Sequence, residues 1–249
     1  MKTPYHAETL RKQRYSQDLE IWCGSVIMQH HAWMHSWISF GRGGFLMNEP
    51  FLVALASPEP SPGGGSAAGY SACLGVALVK KIIQLELLRS RASRERTFVW
   101  KNLLEQANEM EQNLKRLIEE DGTAYIEFVE ARTDCGRKNF AAALERAVEC
   151  PVKIMKQSSE GMGLILEVGN RCARHLISDL LVSGETFMAA VRGAYHIAWA
   201  NICLLPGNGP QQPVISVGEI MLLEQTCKEK HVKVEEQLRA KIRGETHKR

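Results

Sequence analysis

The residues best suited to holding a ligand are Ser61-Pro62-Gly63-Gly64-Gly65-Ser66-Ala67-Ala68. Three glycines ahead of good helix formers present bare backbone N–H groups at the positive end of a helix dipole. That setting suits an anion or a carbonyl oxygen. No Gly-Lys-Ser/Thr follows, so a nucleotide phosphate loop is not implied. The same residues also read as a flexible connector that ends in an N-cap at Ser66. Spacing alone leaves both readings open.

A second signal is Glu119-Glu120-Asp121, placed beside the apolar stripe of a long predicted helix. A carboxyl group partly withdrawn from water has a raised pKa and can exchange protons near neutral pH. Three acids on a solvated helix face are the plainer alternative. A third signal is Ser178-Asp179 at the start of a very apolar helix, where an Asp ordinarily serves as a cap. Asn201 follows Tyr195 on that helix and, inside a core, must find a partner in protein or ligand. His175 and His196 are candidate bases, although lone histidines commonly pack and hydrogen-bond.

The chain has seven cysteines, an odd number with no pair at metal-ligand spacing, and they read as reduced thiols of a cytoplasmic protein. His30, His31 and His35 lack a carboxylate or cysteine to complete a site. No metal site is therefore expected. The net charge of +3 provides no broad field for nucleic acid or an anionic membrane. No run of about 20 apolar residues is long enough to span a bilayer.

The elements that must position these residues are helical. From Phe51 onward the apolar residues recur at steps of three and four. The pattern predicts helices from about Ser66 to Arg89, around Trp100 to Tyr125, from Arg137 to Met155 with a bend or break at Pro151, from Glu160 to Val168, from Asp179 to Leu204, and from Ser216 to about Ile242. Ser216 with Glu219 forms a capping box for the last of these. No run alternates with period two, so the expected fold is all-α, a multihelical antiparallel bundle. Residues 1–46 differ from the rest: they hold three of the five tryptophans and four of the eight histidines, without a helical stripe. They are read as an N-terminal extension, with Met47 as the natural start, and residues 47–249 as the helical domain.

The order of these signals resembles the formiminotetrahydrofolate cyclodeaminase and methenyltetrahydrofolate cyclohydrolase family. The resemblance rests on Pro62 to Ala68, on Asp121-Gly122-Thr123-Ala124-Tyr125, on Cys150-Pro151-Val152, on Ser178-Asp179, and on Gly193-Ala194-Tyr195 with Asn201. Ile197 stands where the family has an asparagine. The resemblance implies a homodimeric enzyme that hydrolyses methenyltetrahydrofolate to formyltetrahydrofolate. Its alternatives are cyclodeamination of formiminotetrahydrofolate with release of ammonia, or folate binding without catalysis. It implies Asp121 as the catalytic acid/base, with Pro62, Gly63, Gly64, Gly65 and Ser66 lining the folate pocket and Ser178, Asp179 and Asn201 bonding the pterin. Lys80 or Lys81 would meet the glutamate tail, and the small residues of the first helix would suit a close helix contact in the dimer. No cofactor beyond the tetrahydrofolate substrate is implied.

Overall fold

Past the prolines at positions 58, 60 and 62, which hold the chain out of a helix, the described residues are almost continuously helical. The computed structural model describes residues 49–133, 140–204 and 215–245. Within them α1 spans Glu49–Leu55, α2 Gly64–Ser90, α3 Arg94–Thr133 and α4 Phe140–Arg171. A 3₁₀ turn at Arg174–Leu176 leads into α5, Ile177–Cys203, and α6 covers Val217–Arg243. Among the described residues there is no strand. From Pro50 onward the described residues belong to one packed unit. The proposed extension 1–46 lies outside the described residues.

Five long helices build the unit. α2 packs on α3 and α5, α4 packs on α3 and α5, and α6 lies across α4 and α5. Apolar faces of the long helices supply the core. Val76, Val79, Ile82 and Ile83 of α2 meet Leu103, Leu114 and Leu117 of α3, Ile154, Met155 and Ile165 of α4, and Leu180, Phe187 and Val191 of α5. A second cluster, with Phe128, Phe140, Leu144, Ala147, Val148 and Ala198, closes the end near Asp121.

The small residues of α2 are used inside the chain. A methyl on Gly69 would overlap Ile118, one on Gly75 would fall 2.8 Å from Thr186, and Ala68 faces Gly193 of α5. Most of this face is buried between α3 and α5 within the chain, where the sequence reading sets it at a subunit contact.

Two helix limits also differ from expectation. α2 starts two residues before Ser66, with Gly63 at the N-cap and no side-chain cap bond. Ser66 is buried and its N–H is committed elsewhere, so it is not the cap. The predicted third and fourth helices are one continuous helix, with Pro151 inside it. Proline removes the N–H that the carbonyl four residues earlier would receive. That carbonyl, on Ala147, accepts instead from Asn201 Nδ2 at 2.7 Å. The interruption is thereby satisfied from another helix. The last helix follows its sequence signals: Ser216 and Glu219 make the reciprocal capping box, and Gly244 closes the helix in the left-handed conformation at φ 77°. Lys241 of its final turn donates to the carbonyls of Gly169 and Cys172, tying α6 to the end of α4.

Candidate active site

The glycine turn and Asp121 face each other. A methyl placed on Gly65 would overlap both carboxylate oxygens of Asp121. Only a residue without Cβ lets α2 start this close to the acid, and the backbone N–H of Ser66 donates to that carboxylate. A second glycine serves the approach from the other side, since a methyl on Gly122 would overlap Ser61 Oγ. The pair explains two glycines at once: one in the turn and one in the middle of α3, where glycine otherwise costs helix stability.

Asp121 is 8% exposed, whereas its neighbours Glu119 and Glu120 point to solvent. Burial pushes its carboxyl up to about 6, against the opposing pull of the Ser66 N–H. The group is thus poised to exchange a proton near neutral pH. Its surroundings form a cavity of about 410 Å³. The walls come from Pro60 and Gly63 to Gly65 of the turn, Asp121, Gly122 and Tyr125 of α3, Ala147 of α4, and Ile197, Ala200, Asn201 and Leu204 of α5. Ile197 seals the turn side: its Cδ1 would be 2.9 Å from a methyl on Gly64. Cys150 sits near enough to feel Asp121. Burial foremost, with the Asp121 and Glu120 charges, pushes its thiol up to about 11, so it stays protonated at neutral pH.

The other sequence candidates are distributed as follows. Asn201 lines the cavity, 5% exposed. Pro62 and Ser66 do not line it, although Ser66 holds Asp121 through its backbone. Ser178 and Asp179 do not line this cavity. They stand at the opposite end of α5, about 27 Å along the axis from Ile197 at the usual rise per residue. Asp179 is paired with Lys81 at 2.8 Å. Lys80 is paired with Glu111, so neither lysine is in the cavity to meet a substrate tail. His175 lies beside Arg89 at 3.0 Å and His196 is exposed against Tyr195, both outside the cavity. Tyr125 was missed as a site residue, although one helical turn separates it from Asp121 and four-residue spacing puts both on one face.

One other cluster joins potential metal ligands. Glu185, His231 and Glu235 each bring one ligand atom within 4.8 Å of the others. Glu185 is exposed, His231 Nε2 stands 3.4 Å from it, and Arg239 holds Glu235 at 2.7 Å. The arrangement is accounted for as surface ion pairing.

Among the described residues the fold is helical, and its glycine-rich turn is pressed onto a buried carboxyl of raised pKa beside a partly open cavity. The chain belongs to the formiminotransferase-cyclodeaminase family, whose model matches residues 47–207. It is similar to a methenyltetrahydrofolate cyclohydrolase of Methylorubrum extorquens, 29% identical over 162 residues that make up 61% of this chain and 77% of that protein. Its fold is similar to the crystal structure of formiminotetrahydrofolate cyclodeaminase from Thermotoga maritima. The TM-score is 0.66 at 14% identity, covering 80% of this chain and 97% of that one. The chain is therefore a folate one-carbon enzyme of this family.

Proposed function

We propose that the cavity hydrolyses methenyltetrahydrofolate to formyltetrahydrofolate, with Asp121 as the acid/base. The observation that carries this reading is the buried carboxyl held by Ser66 N–H against the glycine turn. The substrate carbon bridges two nitrogens in a cationic amidinium, and an ionised Asp121 stabilises that charge. As water attacks the carbon, Asp121 takes its proton and a neutral tetrahedral centre forms. Asp121 then returns the proton to the nitrogen that leaves as one C–N bond breaks. The hydroxyl becomes the formyl C=O and its proton departs to solvent, so one proton is released per turnover. Asn201 Oδ1 accepts a hydrogen bond from the ring system, and Gly63 to Gly65 form one wall of the cavity. The scheme needs water and the folate, and calls on no further cofactor.

The similarity to the Methylorubrum protein favours hydrolysis. The fold likeness to the Thermotoga protein keeps cyclodeamination as the second reading, in which the same carboxyl would assist loss of ammonia. We also read consecutive helices as antiparallel neighbours, since only residues 91–93 join α2 to α3. We place the enzyme in the cytoplasm as a homodimer. Its contact would use the outer stripe of Leu74 and Leu88 on α2 with Val182 on α5, all well exposed in one chain. The discriminating experiment offers purified protein each folate in turn. Accelerated loss of the near-ultraviolet absorbance of the methenyl compound is the expected result. Ammonia release from the formimino compound, with no effect on the methenyl compound, would replace the first reading by the second.

A further inference from the structure

Pro151 and Asn201 are separated by 50 positions and sit on different helices, yet they act on one atom. In an unbroken helix the N–H of residue 151 would donate to the Ala147 carbonyl, and proline has none to give. Ala147 is buried, at 3% exposure, so this carbonyl needs another donor. It receives Asn201 Nδ2 at 2.7 Å. A carbonyl only accepts, so the end of the carboxamide facing it must be the NH₂. The amide therefore has one orientation. Asn201 itself is buried but lines the cavity. Among the described residues nothing donates to its Oδ1, and no side-chain oxygen is buried without a partner. That oxygen consequently meets the open space of the cavity.

We infer that Pro151 is a positioning residue: by withholding its N–H it locks the Asn201 carboxamide so that Oδ1 is presented to an N–H donor of the bound substrate. The donor class is a ring amide or amino N–H; its assignment to a pterin rests on the folate reading above, whereas the lock itself does not. The signal in the sequence was a proline in a helix that continues through it.

The test uses the full chain and three variants, Pro151→Ala, Asn201→Ala and both together. Alanine supplies the missing helical N–H, so Pro151→Ala keeps the helix while giving the Ala147 carbonyl a second donor that competes with Asn201 Nδ2 and loosens the carboxamide. The first measurement is hydrogen exchange of the Asn201 side-chain NH₂ pair by NMR, identified by its loss in Asn201→Ala. Slow exchange in the natural sequence and exchange at least about tenfold faster in Pro151→Ala are expected. The second is calorimetric binding of tetrahydrofolate. Pro151→Ala and Asn201→Ala should each weaken it roughly five- to tenfold, and the double variant no further, because both act through one bond. Unchanged amide exchange in Pro151→Ala, or losses that simply add, would overturn the inference. If the exchange result holds but the natural sequence does not bind tetrahydrofolate, the lock stands and the folate reading fails.

Discussion

At the scale of the residue, the account turns on Asp121. Its carboxyl titrates near 6 because burial disfavours the charge more than the Ser66 N–H favours it. The sign of the effect on stability follows from that direction. Between the ordinary value of 3.8 and about 6 the folded chain holds the proton that the unfolded chain has lost. This contribution to stability is present at low pH and disappears as pH rises through 6. A shift of that size corresponds to about 3 kcal/mol against the ionised form. Asp121→Asn keeps an acceptor for Ser66 N–H without the charge, so it should melt higher than the natural sequence at pH 7.5 and lose the advantage near pH 4. Thermal melts at both pH values check this, and equal melting points at pH 7.5 would show that the carboxylate is not strained by burial. If the ionised carboxyl accepts the proton from water, kcat/KM should fall on the acid side with an apparent pKa near 6. A rate that instead rises as pH drops through 6 would assign the acid role to the first step.

At the scale of the element, the site depends on how closely two helices approach. Gly65→Ala puts a methyl into the space of the Asp121 carboxylate, at the first turn of α2, where alanine is otherwise a good helix former. It should lower turnover by at least about a hundredfold, as the loss of a placed acid/base group does, while the helical circular dichroism is retained. Turnover near that of the natural sequence would mean that the turn and the acid need not touch. By contrast, Ser216→Ala removes half of a capping box and should lower the melting temperature by a few degrees. These elements were unequally legible in the sequence. The capping box is a local signal and was readable from Ser216 and Glu219 alone. The convergence of Gly65 with Asp121 was reached through the family resemblance, since no local rule joins positions that far apart. The helix is not broken at Pro151, because its compensation, Asn201, lies on another helix, beyond the reach of local spacing. The pairing of Lys80 with Glu111 and of Lys81 with Asp179 was not legible for the same reason, since the partners come from distant positions.

At the scale of the whole molecule, five long helices bury the core, and the cavity lies at the end where α2 begins and α5 finishes. The outer stripe of Leu74, Leu88 and Val182 faces away from that core and is the surface we assign to a second copy. Sedimentation velocity should show a dimer for the natural sequence and a monomer for Leu74→Glu combined with Val182→Glu. A dimer that persists in that variant would place the contact elsewhere. The intact protein also affords the most direct test of the central claim, turnover of methenyltetrahydrofolate by the natural sequence and by Asp121→Asn at pH 7.5. The account predicts that kcat falls by about 100- to 10,000-fold in the variant, with binding of tetrahydrofolate changed only a few-fold. An Asp121→Asn protein that hydrolyses the substrate at the natural rate would contradict it.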